Sequence, residues 1–189
     1  MDKIKISKIS KKILSKKGFD SVGCHTSSCD DSCCMGSADV DKEAYDLIFQ
    51  HRALIEKELG IKLEDCFLKK WSGDKEFLGG NSIGTNQDDD YLCMFRLPNR
   101  KGCVLYKLVE GGKAKRRIIP SICRLYPLSW GGGKIYFEDA IEPDCRCLHR
   151  DNSSSKSIFE TQIKEIKDIF KISDKCKKEI DSFLAKSKE

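Results

Sequence analysis

After Asp41, apolar residues recur at helical spacing: Ala44, Leu47, Ile48, Leu54, Ile55 and Leu59 form one stripe, and Gly60 supplies a left-handed stop. The spacing predicts a helix between Asp41 and Gly60. A second apolar stripe of Phe159, Ile163, Ile166 and Phe170 predicts a helix over Ile158 to Phe170, and another follows from Asp174 to about Lys186 with Ser173 as its N-cap. Residues 91–97 and 103–109 are rich in apolar and aromatic groups and flank Pro98-Asn99-Arg100-Lys101-Gly102, a pattern that predicts an antiparallel hairpin. Gly131-Gly132-Gly133, between Leu128-Ser129-Trp130 and Lys134-Ile135-Tyr136-Phe137, predicts a second hairpin. Residues 72–90, with four glycines and little periodicity, read as a long surface loop.

The 189 residues, 39% hydrophobic and 34% charged, suit one domain spanning 1–189 with a basic N-terminal segment (1–20) and C-terminal helices (157–187). Apolar runs such as Val104-Leu105-Tyr106 are far shorter than the roughly 20 residues that cross a bilayer, so no membrane span is expected. The N-terminus alternates lysine with isoleucine and lacks the apolar stretch of a secretory signal, which points to the cytoplasm. Residues 1–17 hold seven lysines against one acid. With no aromatic interleaved, they read as a solubilising terminus, with Ile4, Ile9 and Ile13 spaced to dock on a core, rather than as a nucleic-acid arm. The three glycines at 131–133 lack the lysine and hydroxyl of a phosphate-binding loop, and Asp88-Asp89-Asp90 lacks the ligand spacing of an EF-hand.

The cysteines change this picture. Four of the chain's eleven, Cys24, Cys29, Cys33 and Cys34, fall within eleven residues. In reducing cytosol such a density favours metal over disulfides, because thiolates repel one another unless a cation neutralises them. Cys66 and Cys176, remote from other cysteines, read as ordinary packing or surface residues. The remaining candidates are Cys93 and Cys103, at matching ends of the predicted hairpin, Cys123, and the pair Cys145 and Cys147. Nine sulfurs exceed the four of one tetrahedral zinc or one four-iron cluster. Paired Cys-x2-Cys motifs are missing, which disfavours a simple zinc finger, while Cys24-x4-Cys29-x3-Cys33 approaches the spacing of plant-type two-iron ferredoxins without matching it. His25 is an additional candidate ligand, against the plainer reading of an exposed loop histidine; His51 and His149 are isolated. The expected architecture is α+β: small antiparallel hairpins and cysteine-rich loops around a metal site, packed by helices.

Three blocks carry a family resemblance: the Cys24–Cys34 loop closing on a Cys-Cys pair, Cys93-Met94-Phe95 with Cys103-Val104-Leu105-Tyr106, and Pro120-Ser121-Ile122-Cys123-Arg124-Leu125-Tyr126-Pro127. In this order they resemble the YkgJ-type cysteine-cluster family, described as a zinc- or iron-chelating domain and labelled as containing an iron-sulfur cluster. The resemblance implies Cys24, Cys29, Cys33, Cys34, Cys93, Cys103 and Cys123 as the cluster-associated set, with Arg124 screening thiolate charge and Tyr126 packing on or donating to it. Cys145 and Cys147 are added on spacing alone. Two departures stand out: the opening loop is wider than the family's, and Ile119 replaces the usual arginine before Pro120, leaving Arg116 or Arg117 to supply the charge.

These features lead to the expectation of a cytoplasmic protein holding an iron-sulfur cluster, a four-iron cluster favoured, or iron or zinc, in a structural or electron-transfer role with a protein or redox partner and neither membrane nor nucleic acid. Two alternatives stay open. One is a modification enzyme related to protein lysine N-methylases, although no glycine-rich cofactor motif and no radical Cys-x3-Cys-x2-Cys triad accompanies the cysteines. The other is a zinc-stabilised interaction module that reads nucleic acid through Lys113, Lys115, Arg116 and Arg117.

Overall fold

A computed structural model describes residues 3–18, 36–98, 102–138 and 156–186. The fold is α+β, and its contacts group the chain into two compact units, one of Met1–Gly23 with Leu125–Glu189 and one of Cys24–Arg124.

In the first unit the lysine-rich N-terminus is built into sheets. Strand β1 (Ile4–Ile6) runs parallel to β8 (Phe170–Ile172), and β2 (Lys8–Ile9) runs parallel to β7 (Lys134–Phe137), which pairs antiparallel with β6 (Leu128–Gly131). Alternation sends Ile4 and Ile6 into the core while the lysines face solvent, so the segment is not merely a solubilising terminus. Helix α1 (Lys11–Ser15) buries Ile13 and Leu14. The β6–β7 hairpin turns on Gly132 and Gly133, both at positive φ (56° and 71°), as its sequence predicts.

The helix expected over Ile158 to Phe170 is broken. Helix α6 (Ile158–Thr161), opened by a reciprocal Ser157–Glu160 capping box, gives way at Gln162 to α7 (Ile163–Ile169), and Phe170 already belongs to β8. There Phe170 packs edge-on against Trp130, with centroids 5.4 Å apart. Helix α8 (Asp174–Lys186) starts as expected, with the Ser173 hydroxyl accepting the Cys176 N–H at 3.3 Å.

In the second unit, β3 (Asp39–Asp41) and β4 (Phe67–Trp71) flank a central antiparallel β5 (Ser82–Thr85). That strand lies inside the segment expected to be a surface loop. Ser-Ile-Gly-Thr has little strand signal of its own, and pairing on both sides supplies what local preference does not. The helix expected from Asp41 to Gly60 forms as α2 (Lys42–Gln50) and α3 (Arg52–Leu59), interrupted at His51 and ended by Gly60 at φ 74°.

The larger correction concerns residues 103–109. Val104–Glu110 is a helix, α4, not a strand, and among the described residues of this segment the pairing is by isolated bridges, Gln87 to Cys93 and Arg96 to Cys103. Val104, Leu105, Tyr106 and Leu108 are all buried, an apolar run broken only by Lys107 whose pattern fits a buried strand as well as a buried helix. Helix α5 (Ser121–Leu125) follows, its residues up to Arg124 belonging to this unit. Its core joins Val40, Ile48, Ile55, Phe67, Ile83 and Phe95, with Tyr45 set among Phe49, Phe67 and Trp71 at centroid distances of 4.4, 4.8 and 5.0 Å. Among the described residues, no helix is long and apolar enough to cross a membrane.

Candidate metal centre

Of the nine candidate ligands, Cys93, Cys103 and Cys123 are described; Cys24, Cys29, Cys33, Cys34, Cys145 and Cys147, together with His25 and His149, lie outside the described residues. The three are thiols rather than disulfides, each half-buried against the hydrophobic core of the second unit. They come from three segments.

Cys93 ends a loop that folds on itself: the Asp88 carboxylate accepts the N–H groups of Asp90 and Leu92 at 3.0 and 2.8 Å. The Asp88-Asp89-Asp90 run is thus exposed loop structure. The Cys93 Sγ lies 3.7 Å from the Thr85 hydroxyl, which also accepts the Ala38 N–H at 2.9 Å, so this thiol is referenced to the β3–β5 sheet. Its carbonyl accepts the Arg96 N–H at 2.9 Å, and Arg96 in turn bridges to Cys103. Cys103 is the residue that opens α4, its carbonyl accepting the Lys107 N–H at 3.1 Å. From the next turn of that helix the Tyr106 hydroxyl donates to the Cys123 carbonyl at 3.4 Å, linking the second cysteine segment to the third.

Cys123 sits on α5, and a buried polar cluster holds the start of that helix. The Asp41 carboxylate accepts the Ser121 N–H at 2.9 Å and the Ser121 hydroxyl at 2.8 Å. Asp41 is 1% exposed, Ser121 1% and Arg124 2%. Burial pushes the Asp41 carboxyl up, and the Ser121 hydrogen bonds and the Arg124 charge counter only part of that. Arg124 is therefore a buried cation, not a surface one. Sequence reasoning missed the cluster because Asp41 reads there only as a helix opener, 80 residues from Ser121.

The neighbouring arginines are engaged in packing. Arg117 Nη1 lies 2.7 Å from Glu43 Oε1, and the Arg116 guanidinium sits 5.7 Å from the Tyr106 ring centre. Tyr126 is half-buried in the first unit, its carbonyl accepting from Gln162 Nε2 at 3.3 Å. His51 Nδ1 lies 2.9 Å from the Leu47 carbonyl at the α2–α3 break. Of the two readings open for Cys66 and Cys176, packing or surface, the structure selects packing: they are 0% and 1% exposed. Burial, and then the neighbouring Cys93, push the Cys66 thiol up to about 12.

Among the described residues, no group of three or more histidine, cysteine, aspartate or glutamate side chains is arranged to hold a metal ion. Cys93, Cys103 and Cys123 thus do not form a complete ligand set by themselves. No family model, no curated protein and no solved structure matches the chain. The family resemblance rests on the three residue blocks alone.

Proposed function

We propose that this chain is a cytoplasmic metal-binding protein whose cysteine thiolates hold an iron-sulfur cluster, with a four-iron cluster favoured over iron or zinc alone. The observation that carries the reading is the contrast among the described cysteines. Cys93, Cys103 and Cys123, the three that the pattern of the sequence singles out, are half-exposed at the rim of one core and tied together through Arg96 and Tyr106. Cys66 and Cys176, which it sets aside, are buried.

Thiolate ligands need a neighbourhood that is reachable, anchored and tolerant of negative charge. Thr85 and the Asp41–Ser121 pair anchor two of the three segments, and Arg124 places a buried cation one residue from Cys123. The remaining ligands are assigned to Cys24, Cys29, Cys33, Cys34, Cys145 and Cys147. A bound iron-sulfur cluster supplies one-electron chemistry or a structural cross-link. Serine substitution of Cys93, Cys103 or Cys123 is expected to lower the metal content of anaerobically purified protein, whereas Cys176→Ala leaves it unchanged; equal metal in all four variants overturns the assignment.

A further inference from the structure

The two parallel ladders of the first unit contain five paired positions, Ile4↔Phe170, Lys5↔Lys171, Ile6↔Ile172, Lys8↔Lys134 and Ile9↔Ile135. Every polar pair among them is lysine against lysine. Side chains on neighbouring strands stand only about 5 Å apart, and like charges so placed repel. Lys5, Lys8, Lys134 and Lys171 are all exposed, and among the described residues no salt bridge holds any of them.

The two pairs lie on consecutive strands. Ser7 joins β1 to β2, and the N–H groups of Ser7 and Lys8 both donate to the Gly133 carbonyl, at 2.8 and 3.2 Å, next to Lys134. A groove of about 370 Å³ beside β1 and β8 is lined by Lys5, Ser7, Lys171, Ser173 and Lys177, with Asp174 paired to Lys177 at 2.8 Å. On the adjoining sheet, alternation along β7 puts half-buried Tyr136 on the face that carries Lys134 and Lys8, opposite Ser129. The aromatic that residues 1–17 lack in sequence is therefore supplied from residue 136.

The charge is local to this unit. Met1–Gly23 with Leu125–Glu189 holds nineteen basic residues against fourteen acids, while Cys24–Arg124 holds sixteen basic and sixteen acidic residues. We infer that the two lysine ladders, Lys5 with Lys171 and Lys8 with Lys134, together with Tyr136, bind single-stranded nucleic acid, phosphates lying on the lysines and a base stacking on Tyr136. Cationic side chains track a phosphate backbone, and an aromatic on an open sheet face takes an unstacked base that a duplex keeps hidden. An anionic membrane is the competing polyanion, but among the described residues the exposed large apolar ones, Leu54, Leu68 and Tyr91, all belong to the other unit. A surface that enters lipid needs apolar groups beside its lysines.

The test is fluorescence anisotropy of a labelled oligouridine with the intact protein as purified, at about 50 and about 200 mM salt. Binding is expected at the lower salt and to weaken steeply at the higher. The combined variant Lys5→Glu, Lys8→Glu, Lys134→Glu and Lys171→Glu should lose about tenfold or more in affinity and flatten the salt dependence. A Lys→Gln version of the same four guards against misfolding and should fall in the same direction. Tyr136→Ala should lose about tenfold while Tyr136→Phe retains binding. Reversing Lys62, Lys69 and Lys70 of the second unit should change nothing. The inference is overturned by no anisotropy change at low salt, by binding that survives the four reversals, by an inert Tyr136→Ala, or by preference for phosphatidylserine vesicles over the oligonucleotide.

Discussion

Asp41 ends β3, precedes α2, and holds α5 through both Ser121 hydrogen bonds, so one carboxylate ties three elements together beside Cys123. Replacing it by alanine removes both acceptors and leaves the Arg124 charge buried without its carboxylate neighbour. Asp41→Ala is expected to cost about 3 kcal/mol, read from urea unfolding midpoints. Nothing in the local pattern announces this: the partners are far apart in sequence, and each has an ordinary local explanation. The buried Cys176 offers a test by pH. Burial, and then Glu179, raise its thiol above the ordinary 9.0, so the native state keeps a proton that the unfolded state releases. The stability from this site is complete below 9.0 and falls as the pH climbs past that value towards the raised native one. Between about pH 8 and about pH 10 the Tm advantage of the native protein over Cys176→Ala should shrink; an unchanged gap contradicts the assignment.

At the scale of elements, glycine-marked ends were legible and buried apolar runs were not. Gly60 closes α3 and the Gly132-Gly133 turn closes the β6–β7 hairpin where the residue types demand left-handed backbone. Residues 104–110 became helix because burial on several sides erases the periodicity that separates the two conformations. Gly18 shows another kind of constraint. Its N–H donates to the Lys156 carbonyl at 2.8 Å, and a Cβ there would stand 2.3 Å from Thr161 Oγ1 and 2.7 Å from the Ser157 carbonyl. Gly18→Ala should therefore destabilise by about 1–3 kcal/mol through forced separation of α1 from α6, measurable as a lowered Tm. The lysine ladders predict the opposite sign. Lys134→Glu places an acid beside Lys8 and should raise stability by about 0.2–1 kcal/mol in denaturant unfolding while weakening oligonucleotide binding.

Over the whole molecule, chemistry is segregated: the thiols singled out by spacing and described here lie in the neutral unit, and the excess positive charge lies in the other. The α+β class could be read from composition and spacing, and Cys66 and Cys176 could be set apart from the other cysteines, but that both are buried could not. Nor could the lysine ladders, because they depend on registers between strands more than 100 residues apart in the chain. The central claim, that thiolates from separate segments share a metal, is met most directly by assaying iron, acid-labile sulfide and zinc in protein freshly isolated without oxygen, alongside its visible absorption. The account predicts at least one equivalent of bound metal, with iron, sulfide and a brown colour for the favoured cluster, all reduced in Cys123→Ser. A folded, colourless protein devoid of iron and zinc would contradict it.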